Sequence, residues 1–217
     1  MKIEFLRKLA DREEIDYLFL LSAFSDYARP RSKISALLKS GDLIRVKKGL
    51  YIFSKNNAKQ PYSKELLANL IYGPSAISLQ YALSFYGLIP ERVTTITSIT
   101  NKRNKFFMTP IGEFTYRYLS TAKYSVGIEL ISQANGHHFF MASREKALCD
   151  LIHLIENKNI FINLNEVEAY LLNDLRIEEN ELCSFRINKL IEINHFYQDD
   201  RIKLLTQFIK KWKHHSP

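Results

Sequence analysis

The sequence predicts an α+β protein, and three observations lead to that fold class. Apolar residues recur at helical spacing towards both ends of the chain, whereas β-branched and aromatic residues alternate in its middle, from Val93 onward. Hydrophobic residues make up 46% of the 217 residues, which is enough for a sizeable core and excludes a disordered chain. No apolar run approaches the roughly 18 residues of a membrane span, and the N-terminus lacks the apolar segment of a signal peptide. We therefore expect a cytoplasmic protein with no membrane partner.

Three short helices are predicted at the N-terminal end. The first lies within residues 2–11, where apolar residues share one face. Asp16 caps the second, which spans about 17–24. The third begins at Pro30, a residue suited to the first turn of a helix, and ends at Gly41, a favoured C-cap.

Two strands joined by a basic turn are predicted directly after the third helix. Residues 43–46 and 50–53 are apolar and β-prone, and Lys47-Lys48-Gly49 separates them. Three helices followed by such a hairpin are typical of a winged helix-turn-helix DNA-binding domain. We expect that domain over residues 1–55, followed by a polar, proline-containing linker over 56–61.

The distribution of charge favours a nucleic-acid partner. The chain has a net charge of +8, and residues 29–59 alone contain nine Lys or Arg against the single acidic residue Asp42. A basic surplus confined to one predicted motif is more informative than a high isoelectric point spread over the whole surface.

The third helix and the hairpin supply the predicted DNA contacts. Placing Ile34, Leu37 and Leu38 inward leaves small polar and cationic residues on the opposite face, where cations meet phosphates and short side chains permit close approach. Arg45 has two interpretations, because it could contact a phosphate or pair with a carboxylate such as Asp42. The predicted DNA-binding residues are Arg29, Arg31, Ser32, Lys33, Ser35, Lys39, Arg45, Lys47 and Lys48.

Residues 62–217 are predicted to form a larger, mixed α+β domain with a small sheet and a helical C-terminus. Ser63 caps its first helix, Gly73–Pro74 ends that helix, and a helix buried nearly all round opens at Ser75. From Ser143, which caps the next helix, the chain is helical to its end. Strands are expected over 93–100, over 106–119 as a pair about Pro110–Gly112, and over 137–142.

A polar loop between the first two predicted strand segments carries three cations. Lys102, Arg103 and Lys105, together with Arg117, are expected to make additional DNA contacts beside the winged helix. The alternative is an ordinary surface hairpin whose charges are merely solvated.

Sequence motifs of enzymes, cofactors and metals are not recognised. None of the seven glycines has the spacing of a phosphate-binding loop, and no nucleophile elbow is present. His137 and His138 are adjacent on a predicted strand and point to opposite faces, so they do not form a metal site. Cys149 and Cys183 are expected to be buried free thiols. We therefore expect a protein that is not an enzyme and uses no cofactor or metal.

Four sequence blocks, in this order, resemble the AbiEi family. They are GDLIRVKKGLY (41–51), ISLQYALSFYGLIPE (77–91), VTTITSIT (93–100) and ASREKALCDLI (142–152), and the similarity extends over about 16–155. AbiEi proteins are antitoxins of type IV bacterial toxin–antitoxin systems, which act in abortive infection, and they are also transcriptional repressors.

The resemblance implies two activities. A winged-helix domain would bind inverted repeats in double-stranded operator DNA upstream of its own operon, with Pro30–Lys39 as the DNA-contacting helix and Arg45–Tyr51 as the wing. The C-terminal domain would counteract, directly or indirectly, a cognate nucleotidyltransferase-like toxin encoded beside it.

Two other functions remain open at this point. One is a ligand-responsive winged-helix transcription factor whose second domain senses a small molecule. The other is an enzyme or a nucleic-acid modification factor with a winged-helix docking module. A neighbouring gene for a nucleotidyltransferase-like protein would favour the antitoxin, whereas a metabolic operon would favour the sensor.

Overall fold

The computed structural model describes residues 3–156 and 162–215, and within these ranges the chain has a mixed α+β fold. A three-stranded sheet lies in the N-terminal region, and a six-stranded sheet lies in the middle of the chain. Helices make up the C-terminal part. The α+β class predicted from the sequence is confirmed at this level. No described helix is both long and apolar enough to cross a membrane.

The N-terminal region contains the three predicted helices, the predicted hairpin and one further strand. Asp16 caps the second helix as predicted, because its Oδ1 accepts a hydrogen bond from the Phe19 amide at 2.7 Å. The additional strand pairs antiparallel with the second strand of the hairpin, which gives the sheet order β1-β3-β2. The elements are α1 (Ile3–Leu9), β1 (Glu14–Asp16), α2 (Tyr17–Ala23), α3 (Pro30–Lys39), β2 (Leu43–Lys47) and β3 (Leu50–Phe53).

The two faces of this small sheet are buried in different cores. Tyr51 and Phe53 pack against the three N-terminal helices. Leu50 and Ile52, which are neighbours of Tyr51 and Phe53 in the same strand, pack into the core of the rest of the chain, as does Val46. The alternation of side chains along a strand therefore attaches the N-terminal region directly to the following residues.

Two buried carboxylates hold the predicted linker and the residue that caps the helix after it. Glu13 Oε1 accepts hydrogen bonds from the amides of Lys59 and Gln60, at 3.1 and 3.2 Å. Glu14 Oε1 accepts one from the Ser63 amide at 2.8 Å. The N-terminal region is thus joined to the following helix by buried hydrogen bonds as well as by apolar packing, while the domain boundary at 56–61 stays a prediction.

The six-stranded sheet has the order β6-β7-β5-β4-β9-β8 and is mixed in direction. The pairs β4–β9 and β5–β7 are parallel, and the remaining pairs are antiparallel. The elements are α4 (Lys64–Ile71), β4 (Ala76–Ile77), α5 (Leu79–Phe85), β5 (Ile96–Thr100), β6 (Lys105–Thr109), β7 (Gly112–Tyr118), α6 (Thr121–Ser125), β8 (Ile128–Ser132) and β9 (His138–Ala142).

The helix predicted to open at Ser75 begins later, at Leu79. Ala76 and Ile77 instead form β4, in which Ile77 pairs with Ser98 of β5 on one side and with Met141 of β9 on the other. The prediction of the helix start was wrong because the hydrogen bonds of these residues come from distant strands rather than from the helix that follows.

The C-terminal helices bury several charges. Ser143 caps the first of them as predicted, since its Oγ accepts a hydrogen bond from the Lys146 amide. Cys149 is buried as expected, but Cys183 is exposed, because it follows a short helix at the surface; both are free. The elements are α7 (Arg144–Leu154), α8 (Leu164–Ala169) with a π-helical turn over Tyr170–Asp174, α9 (Glu179–Leu182), α10 (Ile187–Tyr197) and α11 (Asp200–His215).

Candidate nucleic-acid interface

Helix α3 presents one polar face to solvent. Ile34 is buried and Leu37 and Leu38 are half-buried against the N-terminal core, which confirms the predicted inward face. Pro30 occupies the first turn as predicted. Every predicted DNA-binding residue on or next to α3 is exposed: Arg29, Arg31, Ser32, Lys33, Ser35 and Lys39.

The β2–β3 hairpin presents two further cations beside α3. Arg45 and Lys48 are exposed, while Tyr51, which lies opposite Arg45 in the sheet, is buried. Gly49 has a φ of +91°, a conformation that favours glycine, and its carbonyl accepts a hydrogen bond from the Tyr17 amide at 3.0 Å. The turn that carries Lys48 is therefore held against the start of α2.

Arg45 is exposed, and the carboxylate that the sequence offers as its alternative partner is engaged elsewhere. Asp42 accepts hydrogen bonds from Ser40 Oγ at 2.6 Å and from Asn57 Nδ2 at 3.0 Å. No ion pair joins Asp42 to Arg45. Asp42 is thus not the partner of Arg45 in this structure, and a phosphate contact by Arg45 stays a prediction.

Lys47 differs from its neighbours on the hairpin. It is half-buried, and its Nζ donates a hydrogen bond to the carbonyl of Ile71 at the end of α4. Burial, followed by the nearby charge of Lys102, lowers the pKa of Lys47 below its ordinary value. Lys47 therefore lies between the hairpin and α4 rather than at the exposed turn.

The polar loop that precedes β6 also contacts the end of α4 and the residues that follow it. Lys102 Nζ donates a hydrogen bond to the Gly73 carbonyl and lies 5.5 Å from the centre of the Tyr72 ring. The hydroxyl of Tyr72 donates a hydrogen bond to the carbonyl of Arg103 at 3.3 Å. The structure thus brings the predicted additional contacts Lys102 and Arg103 to the same end of α4 as Lys47, whose pKa the charge of Lys102 lowers.

The other two predicted additional contacts are not placed together. Lys105 is exposed and lies opposite Tyr116 in the β6–β7 ladder, so both side chains lie on one face of the sheet. Arg117, the next residue along β7, lies on the other face and is half-buried. Lys105 and Arg117 therefore do not form one patch.

The loop also borders an open depression of about 760 Å³. The sequence does not predict that the residues lining this depression lie together. Asn104 Oδ1 anchors the loop by accepting a hydrogen bond from the Tyr118 amide at 2.6 Å. Asn101 and Asn104 belong to the recognised polar loop, but Tyr72 and Tyr118 carry no local signal because only the fold brings them there. The lining residues are Tyr72, Asn101, Lys102, Arg103, Asn104 and Tyr118.

The candidate cations share one property: within the described ranges, they have no carboxylate partner. Among the described residues, none of them forms an ion pair with Asp or Glu, whereas Arg144, Arg186 and Arg201 in the C-terminal helices are all paired. These unpaired cations are Arg29, Arg31, Lys33, Lys39, Arg45, Lys47, Lys48, Lys102, Arg103, Lys105 and Arg117. Lys47 and Lys102 donate hydrogen bonds to backbone carbonyls, but the charge of a cation that has no carboxylate partner can still neutralise an external phosphate.

The two adjacent histidines have separate environments. His137 is buried, with its Nε2 3.7 Å from Glu14 Oε1, whereas His138 is exposed and its Nδ1 lies 2.8 Å from Ser132 Oγ. In the described ranges, no group of three or more His, Cys, Asp or Glu residues is arranged to hold a metal ion.

No protein-family model matches this chain, and no curated protein is significantly similar to it.

Proposed function

We propose that this protein is a DNA-binding transcriptional autorepressor whose N-terminal region acts as a winged helix, and that it is also the antitoxin of a type IV toxin–antitoxin pair. The order of elements in residues 3–53 supports the first part, because α3 is followed by a two-stranded hairpin that lies beside it. In this proposal α3 enters the major groove, and the hairpin contacts the adjacent backbone.

The observation that carries the proposal is the set of exposed cations without carboxylate partners on α3 and the hairpin. Lys39 and Lys48 would contact phosphates, release condensed counterions and supply affinity that does not depend on sequence. Ser32 and Ser35 are short enough to let the helix backbone approach the bases, and their hydroxyls can bond to base edges. We expect these two serines to set sequence preference.

A binding titration tests the DNA-binding part. The full chain would be titrated, by fluorescence anisotropy, against a duplex that contains the repeats upstream of its own gene and against a scrambled duplex. The double substitution Lys39→Ala/Lys48→Ala is expected to weaken binding to both duplexes by about tenfold or more. Lys210→Ala, at an exposed lysine of α11, is the control and should bind as the wild type does. Equal affinity of the double variant and the control would contradict the proposal.

The antitoxin part is supported by the resemblance of the sequence blocks to AbiEi proteins. A co-expression assay with the neighbouring nucleotidyltransferase-like protein tests it. The full chain should be used, because removal of the N-terminal region would also remove Val46, Leu50 and Ile52, whose side chains pack into the larger core. Rescue of growth by the Lys39→Ala/Lys48→Ala variant would assign antitoxicity to residues outside the DNA-binding surface. Failure of the wild type to rescue would contradict the antitoxin function.

One observation favours the sensor as a second candidate function. A groove of about 570 Å³, within the size range of small-molecule sites, lies between α4 and the β8–β9 hairpin. Its walls are mainly apolar, and Leu70 and Phe140 contribute exposed surface to it. If the protein is a sensor, a small apolar molecule that binds in this groove should change the affinity of the protein for operator DNA. Leu70→Lys, which places a charge in the groove, should abolish that change. If no such molecule changes the affinity of the protein for operator DNA, the sensor function is contradicted.

A further inference from the structure

The two edge strands of the six-stranded sheet differ in the side chains that they expose to solvent. β6 forms one edge and β8 the other. Every residue of β6 is exposed or half-buried, and the exposed fractions of Phe106 and Met108 are 53% and 76%. An exposed strand edge with large apolar side chains is a template for pairing with another strand.

Phe106 and Met108 lie on the same face of the sheet, because side chains alternate along a strand. The intervening Phe107 lies on the opposite face, where its ring packs 5.8 Å from that of Tyr116 and 6.0 Å from that of Tyr72. Phe107 therefore anchors β6 to the fold and leaves Phe106 and Met108 as an apolar strip along the outer edge.

The other edge strand carries features that discourage strand pairing. Leu130 of β8 is also exposed, at 59%, but the preceding Glu129 forms ion pairs with Arg186 and Lys189 of α10 and its N-terminal flank. Charged groups beside an edge strand oppose the approach of another strand. In β6 the only charged residue is Lys105, at the first position of the strand.

We propose that β6 is a homodimer interface, in which two copies of this chain pair their β6 strands antiparallel about a two-fold axis at Phe107. The sequence of the strand is self-complementary in this register. Phe106 lies opposite the partner's Met108, and Lys105 lies opposite the partner's Thr109, so no like charges face each other. The same patch serves both copies, as a two-fold interface requires.

Neighbouring registers fit less well. An axis at Met108 sets Phe106 against the partner's Pro110, which has no amide to donate to the ladder. An axis at Phe106 sets the partner's Met108 against the polar Asn104. The register about Phe107 alone places both apolar residues of each strand opposite apolar residues.

The pairing joins the two six-stranded sheets into one continuous sheet and does not depend on DNA binding. One pair of five-residue strands buries less area than a standard protein interface, so we expect a dimer with a dissociation constant in the micromolar range, about 1–100 µM.

Sedimentation equilibrium of the full chain tests the proposal without DNA. The wild type is expected to change from monomer to dimer as its concentration rises to about 200 µM. Met108→Lys places a positive charge in the apolar strip and should weaken the dimer at least tenfold. The new lysine lies opposite Glu113 of the same chain, so the β6–β7 hairpin should be preserved. Leu130→Lys, at the other edge, is the matched control and should dimerise as the wild type does. A wild type that stays monomeric over this range, or a Met108→Lys variant that dimerises normally, would overturn the proposal.

Cysteine cross-linking tests the register independently. In a Cys183→Ser background, which removes the exposed thiol, Phe107→Cys places two cysteines opposite each other across the axis. Mild oxidation is expected to link most of this variant into a dimer. Thr109→Cys in the same background is the control. In the proposed register Thr109 lies opposite Lys105 of the other copy, so two cysteines at position 109 are far apart and should stay unlinked. Heat unfolding confirms that each variant is folded; equal cross-linking of the two folded variants would overturn the register.

Discussion

The N-terminal cationic surface, which we define as Arg29, Arg31, Lys33, Lys39, Arg45 and Lys48, and the buried charges of the C-terminal helices interact with their surroundings in opposite ways. On that surface the cations are exposed and have no carboxylate partner among the described residues. In the C-terminal helices, Lys146 is completely buried, with its Nζ 3.1 Å from Asp150 Oδ1 and 2.6 Å from the Tyr197 hydroxyl. The comparison teaches that pairing and burial, rather than charge itself, distinguish cations that hold the fold from cations available to a ligand.

The buried network around Lys146 shows what a structural charge requires. Asp150 also accepts a hydrogen bond from Ser78 Oγ at 2.6 Å, and Lys146 also donates one to the Lys123 carbonyl at 2.8 Å. Burial, followed by the charge of Asp150, raises the pKa of Tyr197 far above its ordinary value, so this hydroxyl stays protonated and donates to Asp150. Each polar group in the network has a partner, which is the condition for burying charges in a core.

Removal of a buried cation is expected to have the largest effect on stability. Lys146→Met keeps most of the side-chain volume but leaves Asp150 buried without its counter-charge, so we expect a loss of about 3–5 kcal/mol in the free energy of unfolding. Urea unfolding measures this quantity. Lys203→Met, at an exposed lysine of α11, is the control and should change it by less than about 0.5 kcal/mol. If Lys146→Met loses less than about 1 kcal/mol of unfolding free energy, buried and exposed cations do not differ in the way described above.

A second paired charge makes stability depend on pH. Burial alone would raise the pKa of Asp199, but hydrogen bonds from His153 Nδ1 at 2.8 Å and from Arg201 hold it below its ordinary value. A carboxylate whose pKa is lowered by folding stabilises the protein above its unfolded-state pKa of about 4, and that stability is lost as the pH falls towards the folded value.

The pH dependence is checked by the melting temperatures of the wild type and of Asp199→Asn. The wild type is expected to melt at the higher temperature near pH 6, and the gap should narrow as the pH falls below about 4. A gap that stays the same across this range would show that Asp199 does not contribute through its charge.

Lys47 is intermediate between the two classes and should have an intermediate effect. Lys47→Met removes the hydrogen bond to the Ile71 carbonyl, and we expect it to cost about 1 kcal/mol of unfolding free energy. The same variant should weaken DNA binding less than Lys48→Ala does, because the Lys47 ammonium is already engaged. Urea unfolding and anisotropy titration measure the two effects. A greater loss of DNA binding for Lys47→Met would place Lys47 with the exposed cations.

The exposed cations should have the smallest effect on stability. Lys39→Ala/Lys48→Ala removes no intramolecular ion pair, so the free energy of unfolding is expected to stay within about 0.5 kcal/mol of the wild type. Urea unfolding of this variant beside Lys146→Met compares the two regions directly. A loss of several kcal/mol would mean that these lysines belong to the fold.

Features determined by local chemistry were predictable from the sequence. Asp16, Ser63 and Ser143 cap helices because a side chain close in sequence satisfies the first amides, and α3 begins at Pro30 for a similar local reason. The helical periodicity of Ile34 and its neighbours likewise predicted which face of α3 is exposed.

Features that depend on distant partners were not predictable. Ala76–Ile77 form a strand because β5 and β9 lie on either side of them. The direction of Lys47 depends on the Ile71 carbonyl, which is far along the chain, and Tyr118 joins the depression beside Lys102 only through the β6–β7 fold. Periodicity and capping do not carry such long-range information.

The salt dependence of DNA binding tests the central claim, that the unpaired cations of α3 and the hairpin contact DNA phosphates, most directly. The logarithm of the binding constant would be plotted against the logarithm of salt concentration for the wild type and for Lys39→Ala/Lys48→Ala. Each lost phosphate contact should reduce the slope by about 0.9, so the double variant is expected to show a slope shallower by about two. An unchanged slope, with the variant folded, would contradict the claim.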